Sequence, residues 1–436
     1  MLICWVMTSQ EQLLHYVWKY RLYPSGSLVT ADGNRVEVID PGLQNMHAGP
    51  DFFNAKVRIG DVLWAGNVEI HTSSAEWYLH GHHLDPVYNS VILHLAGRIN
   101  REVLNQKGES VPQSLLPLPE RVRANADYLL QSDHPLPCRD FLASMDQRLI
   151  RSWLDDLSLE RLERKCNEID THLECFHHSW DEVFYVILTR NFGFGINSRP
   201  FELLARSIPF NYILRHNDEL MMVEALLFGQ AGLLMEPGVN DPYYRQLQSD
   251  YQFLSAKYGL KSLESHLFRK MRIRPYSFPH VRIAQLASLL QQSGRLFSTI
   301  LETEDLLRLT QLFRCEPSPY WSTHFSFGKV SPKTTKSLGA ASIDILLMNT
   351  VVPILFAYGR YTNLEEYCER ALKLLSSLKP EKNRITRMFL DVGIEPASAF
   401  HSQALIQLKK EYCDPKKCLY CRIGHSLLSS PEPFIR

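Results

Sequence analysis

The sequence predicts an α+β chain in which a small mixed α/β domain precedes a larger, mostly α-helical region. Three observations carry that reading. Short β-type runs are confined to residues 35–100, a proline-rich stretch follows over 104–140, and from Met145 onward nearly every window has amphipathic helical spacing. Of the 436 residues, 45% are hydrophobic and 22% charged, a balance that can bury a core and does not suit a disordered chain. Lys+Arg and Asp+Glu both total 47, so the formal charge is zero. That excludes the basic coat of an architectural DNA binder and leaves room for a local basic groove.

Residues 8–20 open a helix, with a Ser/Thr start and then Leu13, Leu14, Val17 and Trp18 at helical spacing. Strand-like runs follow at 36–39, 55–59, 62–64, 68–71 and 91–95, and Gly60-Asp61 marks a hairpin turn between two of them. Between the last two runs, residues 73–90 have capping serines and a weak helical pattern that Gly81 and Pro86 interrupt. Pro112, Pro117, Pro119, Pro135 and Pro137 give 104–140 the character of an extended linker. The expected divisions are an α/β domain over 8–103, a linker over 104–140, a helical region over 141–409 and a cysteine-rich metal site over 410–436.

No apolar run approaches the roughly 18 residues of a membrane span. The opening Met1–Met7 is too short for a signal-peptide core and has no basic residue before it, and Met7 is an alternative natural start. The chain is therefore expected in the cytoplasm, without membrane contact; its oligomeric state is not legible.

The densest polar sequence runs from Gly49 to His71. Side chains alternate along a strand, so Val68 and Ile70 face one way while Asn67, Glu69 and His71 face the other. Asp51, at the start of the preceding strand, is placed to converge on Glu69. Two carboxylates meeting beside a strand offer oxygen ligands to Mg²⁺ or Mn²⁺, which would acidify water and neutralise charge on a phosphate. Asp51 and Glu69 are the candidate metal ligands and catalytic residues, with His71 to orient or deprotonate water. His71, His80, His82, His83 and His94 fall close together. Of these His71 and His80 are the candidates for chemistry, His80 as a further ligand, while His82 and His83 read as exposed.

The order helix, strand, strand beginning Pro50-Asp51, strand bearing Glu69-Ile-His71, helix, strand resembles the PD-(D/E)XK nuclease superfamily over about residues 8–97. The resemblance implies a metal-dependent hydrolase of phosphodiester bonds in nucleic acid, DNA ahead of RNA. The family's usual lysine is His71 here, so the resemblance also accommodates a catalytically inactive scaffold that binds nucleic acid or protein. A hydrolase of a small phosphorylated substrate is a third reading. Nearly the whole chain resembles an uncharacterised bacterial family, domain of unknown function number 2851, through GPDFFNAKVRIGDVLWAGNVEIH, WYLHGHHLDPVYNSVILH, RIRPYSFPHVRIAQLA, NTVVPILFAYG and the final CxxxxCxxCRIG.

The nine cysteines have no disulfide-framework spacing, but Cys413, Cys418 and Cys421 crowd together. Three thiolates need a fourth ligand, and Cys138, His425, Cys368 and Cys315 are the candidates. The nuclease resemblance implies Cys138 and a 4Fe–4S cluster, because iron–sulfur members pair one distant cysteine with three near the C-terminus; Zn²⁺ with His425 is the alternative. Finally, Arg272, Arg274 and Tyr276 lie in a basic and aromatic stretch suited to a phosphate backbone and a stacked base.

Overall fold

The computed structural model describes residues 9–430, so Met7 lies outside the described residues. The chain folds as two compact units, one of residues up to Trp153 together with Leu408 onward, the other of Leu154–Gln407. The α+β reading holds: a mixed sheet lies in the first part of the chain and helices follow.

In the first unit, helix α1 (Ser9–Lys19) precedes strands β1 (Val36–Asp40), β2 (Leu43–Gln44), β3 (Phe52–Ile59) and β4 (Val62–Ser73). After the short helix α2 (Glu76–Leu79) come β5 (Val91–Arg98) and β6 (Gln113–Leu115). The sheet order is β1-β3-β4-β5-β6, with β2 pairing β3. β3 and β4 form the antiparallel hairpin expected at Gly60-Asp61, Ile59 facing Val62. Gly60 has φ +58°, the left-handed conformation that this tight turn requires.

β4 and β5 are parallel, and a parallel pair cannot be joined by a hairpin. The chain must cross over, and residues 74–90 do so through α2 and two 3₁₀ turns, His82–Leu84 and Pro86–Ser90. Gly81, at φ +75°, separates α2 from the first turn. Asp85 caps the second, its side chain accepting from the Val87 N–H, and Pro86 opens it. The crossover buries Trp77 and Tyr88 against Val91, Val103 and Val111.

The 104–140 segment is not an extended linker. It supplies β6, helix α3 (Glu120–Gln131) and helix α4 (Arg139–Leu142) to the first unit. Its prolines punctuate short elements: the Pro112 carbonyl accepts from the His94 N–H at 2.8 Å, and Pro119 sits just before α3. The cysteine-rich C-terminus also joins the first unit and not the helical one.

The second unit is helical around a core that includes Tyr185, Phe192, Phe201, Phe228 and Leu286. Its helix Leu220–Gln230 is buried along most of its length. Tyr251 lies so close that a Cβ on Gly229 would stand 2.0 Å from its ring. Residues Ala340–Thr362 form one helix long and apolar enough, by length and composition, to cross a membrane. This corrects the expectation that no such stretch exists. The helix is 61% buried here, and Leu346, Leu347, Val351, Ile354 and Leu355 belong to the unit's own core.

Candidate functional site

The site forms where β3 begins, beside the middle of β4. Asn45 organises the approach: its side chain donates to the carbonyls of Ala48 and Pro50, both at 3.1 Å, and its N–H donates to the Asp51 carbonyl at 2.7 Å. Asp51 and Glu69 then clasp each other's strands. The Asp51 N–H donates to Glu69 Oε2 at 3.0 Å, and Asp51 Oδ2 accepts from the Ile70 N–H at 2.8 Å. The β3–β4 register shifts between Phe52 and Ala55, with Asn54 left-handed at φ +55°, and the β4–β5 register shifts between Asn67 and Val68. Such bulges bend a strand and re-aim its side chains.

The Glu69/His71 face of β4 is covered, unlike an ordinary solvated sheet face. Glu69 is 4% exposed and His71 1%. The crossover brings His80 and His82 over them. His71 Nε2 is 3.2 Å from His80 Nδ1 and 3.5 Å from Glu69 Oε1, and His82 Nε2 is 3.1 Å from the same oxygen. His71, His80 and His82 each offer one ring nitrogen, all within 4.8 Å of one another. On the other side of the His71 ring, Nδ1 meets His94 Nε2 at 2.9 Å. From α1, His15 reaches Asp51 Oδ2 at 3.3 Å.

Burial dominates the electrostatics. It raises the Glu69 carboxyl well above its ordinary range, and the neighbouring Asp51 charge adds to the rise. Burial, then the imidazoles of His94, His82 and His80, holds His71 well below its ordinary value. Burial likewise lowers His80, takes His82 down to about 4 and His94 to about 3. For His15 burial is opposed and outweighed by the charge and hydrogen bonding of Asp51, so its pKa is raised.

Of the residues selected from sequence, Asp51, Glu69, His71 and His80 are brought together. His82, expected to be exposed, is buried at the centre, its ring stacked on Tyr88 with centroids 3.8 Å apart. His15 was missed. The signal available was an ionisable side chain three residues before Trp18, on the apolar stripe of α1.

The cysteines form a second cluster in the same unit. Cys138 lies just before α4, Cys413 ends the turn Leu408–Cys413, Cys418 begins a 3₁₀ turn, and Cys421 precedes helix Arg422–Leu428. Burial first, and then the neighbouring thiols of Cys138, Cys421 and Cys418, pushes the Cys413 thiol up. Burial, reinforced by these neighbours, raises Cys138 to about 12 and Cys418 to about 11. His425 is engaged elsewhere, its Nδ1 2.7 Å from the Tyr16 hydroxyl and its ring against Tyr20. Cys315 and Cys368 belong to the second unit. So do Arg272, Arg274 and Tyr276. The two arginines line a cleft of about 250 Å³ with Arg282, while Tyr276 stands outside it with its ring edge-on to Phe325.

Residues 11–384 match the family described as "Protein of unknown function (DUF2851)". The chain belongs to that family. The match spans the whole α/β site and Cys138 but ends before Cys413, Cys418 and Cys421. No curated protein and no solved structure matches the chain.

Proposed function

We propose that the α/β unit of this DUF2851 protein is a metal-dependent phosphodiester hydrolase acting on nucleic acid, DNA ahead of RNA. One observation carries the reading: Asp51 and Glu69 are tied to each other through the backbone, the Asp51 N–H to Glu69 and the Ile70 N–H to Asp51, beside the imidazoles of His71, His80 and His82. The order of elements up to β5 supports it, because apart from the short β2 and the break-up of the crossover helix into α2 and two 3₁₀ turns it follows the order implied by the PD-(D/E)XK resemblance. A divalent ion held by Asp51, Glu69 and the imidazoles would neutralise charge on a phosphate and acidify water. The chain's own residues hold and dry the site. Asp51 fixes Glu69 through the backbone, Trp77 and Tyr88 close one side, and His71, neutral at physiological pH, keeps an unprotonated nitrogen available. His80, partly exposed, and Asp51 form the side open to a substrate.

The near-complete burial of Glu69 and His71 favours the second reading, an inactive scaffold that binds nucleic acid or protein. Incubating the full chain with single- and double-stranded oligonucleotides, with divalent ions or with EDTA, separates the two. The hydrolase reading expects ion-dependent cleavage that both Asp51→Ala and Glu69→Ala abolish. Cleavage that survives both substitutions removes Asp51 and Glu69 from the catalysis, and none with any ion leaves the scaffold reading.

We infer further that Cys138, Cys413, Cys418 and Cys421 hold a structural Zn²⁺ or a 4Fe–4S cluster. The donor chemistry suits either: Cys413, Cys418 and Cys421 are close in sequence, Cys138 joins them in the same unit, and all four are free thiols. Ligation would couple the ion to folding of the unit. Cys138→Ser should lower metal content and stability together, whereas Cys368→Ser should change neither. Brown, anaerobically purified protein would identify the cluster and colourless protein with zinc the alternative. Metal-free protein of normal stability would end this reading.

A further inference from the structure

The donors gathered around His71 are those of a different ion from the one that paired carboxylates suggest. Mg²⁺ requires near-octahedral oxygen ligands and retains several waters. Here Asp51 Oδ2 is committed to the Ile70 N–H and to His15, and Glu69 Oε2 to the Asp51 N–H. The remaining Glu69 oxygen, Oε1, faces nitrogens: His82 Nε2 at 3.1 Å and His71 Nε2 at 3.5 Å, with His80 Nδ1 a further 3.2 Å from His71 Nε2. Ligands at bond lengths of about 2.0–2.1 Å around a tetrahedral Zn²⁺ stand about 3.3–3.4 Å from one another. The three contacts that share His71 Nε2 or Glu69 Oε1 already have that size, and the ring nitrogens of His71, His80 and His82 all lie within 4.8 Å of one another, so binding would draw His80 and Glu69 in toward the ion.

His71 and His80 are within hydrogen-bonding distance of each other, but the contact of His82 is poor as a hydrogen bond. His82 Nε2 is buried and makes none, although a carboxylate oxygen is 3.1 Å away. A buried polar nitrogen without a partner is costly. A cation between the nitrogen and the oxygen would satisfy both.

Three of the donors, His82, His71 and Glu69, are also held from behind. His82 stacks on Tyr88 and meets the edge of Trp77, whose indole N–H is anchored to the Leu104 carbonyl at 3.0 Å. His71 has its second nitrogen on His94, and Glu69 has its second oxygen on the Asp51 backbone. Outer partners of this kind fix ring orientation in metal sites.

We propose that the α/β unit binds Zn²⁺, or a transition ion of similar preference, through His71 Nε2, His80 Nδ1, His82 Nε2 and Glu69 Oε1. This deepens the hydrolase reading by naming its ion and moves His71 from proton acceptor to ligand. Asp51 becomes a positioning residue that holds Glu69.

The test reads ion binding and not turnover, so it fails separately from the hydrolase reading. Full-length protein stripped with chelator is titrated with Co²⁺ alone, followed by visible absorption. Nitrogen and oxygen ligation gives visible bands without the thiolate-to-cobalt charge transfer of the cysteine cluster, so the two sites report separately. The expected result is one Co²⁺ of the first kind per chain, displaced by Zn²⁺ and unmoved by a roughly thousandfold excess of Mg²⁺. His80→Ala, at a partly exposed position that tolerates truncation, and His82→Ala should each weaken this binding at least about tenfold. His94→Gln should weaken it by about 10–100-fold through the His71 ring. Displacement by Mg²⁺, wild-type affinity in both the His80 and His82 variants, or no nitrogen-ligated Co²⁺ at all would overturn the assignment. Tight binding without hydrolysis would uphold it and remove only the activity.

Discussion

His280, in the core of the helical unit, is 0% exposed, and neither of its ring nitrogens has a hydrogen-bond partner. It packs among Phe228, Trp321 and Phe327. Burial, with a smaller contribution from Lys270, takes its pKa down to about 3 from 6.5. The folded protein therefore holds it neutral while the unfolded chain takes up a proton below about pH 6.5, and stability falls with pH across that window. Integrating the linkage from pH 7 to pH 5 gives a loss of about 2 kcal/mol from this residue alone. His280→Leu keeps apolar volume and has nothing to titrate. Urea unfolding of both proteins at pH 7 and pH 5 should show the variant at least as stable at pH 7, because the unpaired nitrogens are gone. The variant should also be spared about 2 kcal/mol of the acid loss. Other groups, including the nearby Glu224, titrate equally in both proteins and cancel in the difference. If the two proteins lose the same stability between pH 7 and pH 5, the histidine is not held neutral by burial and the argument fails.

Glu224 has the opposite sign. Burial raises its carboxyl to about 7, against the hydrogen bonds from Tyr243, Trp321 and Ser318, so its contribution is present at low pH and is lost as pH rises from about 4.5 through 7. Glu224→Gln should flatten stability between pH 5 and pH 8, recovering about 3 kcal/mol at the alkaline end; an unchanged slope in denaturant midpoints would refute it. At Gly424, an added Cβ would stand 2.1 Å from the Cys418 carbonyl oxygen, a backbone atom that cannot step aside. An unhindered helical glycine gains about 1 kcal/mol on replacement by alanine. Gly424→Ala should instead cost about 1–3 kcal/mol and speed thiol labelling of Cys418 and Cys421, and a stabilised variant with protected thiols would contradict the packing.

The parts of the fold legible in the sequence are those specified locally. Gly60-Asp61 between two β-type runs determines a hairpin without tertiary help, and Leu13, Leu14, Val17 and Trp18 mark α1 by spacing alone. The prolines of 104–140 misled because proline is as compatible with the start of a helix as with a linker, and only packing within the first unit, for α3 against residues 418–428, decides between them. In 340–362, Asp344 and Arg360 interrupt the apolar run that the whole helix nevertheless presents. The attachment of residues from Leu408 onward to the first unit is a long-range pairing with no local signature.

The site divides along the same line. Glu69 was legible because a carboxylate in an apolar strand needs a partner wherever the strand goes, and Asp51 because it stands at the start of the neighbouring strand. His82 was not, because HGHHLDP has the composition of a solvated loop. Its burial follows from two things the local sequence does not state together: β4 and β5 are parallel, which forces a crossover, and Gly81 turns left-handed within it. That turn places His80 and His82 over the strand that carries Glu69 and His71, and so sets imidazole nitrogens against the buried carboxylate. The paired carboxylates alone suggest Mg²⁺. With the crossover in place, His82 Nε2 and His71 Nε2 stand 3.1 and 3.5 Å from Glu69 Oε1, so the ion preference we propose follows from the topology rather than from the Pro-Asp motif.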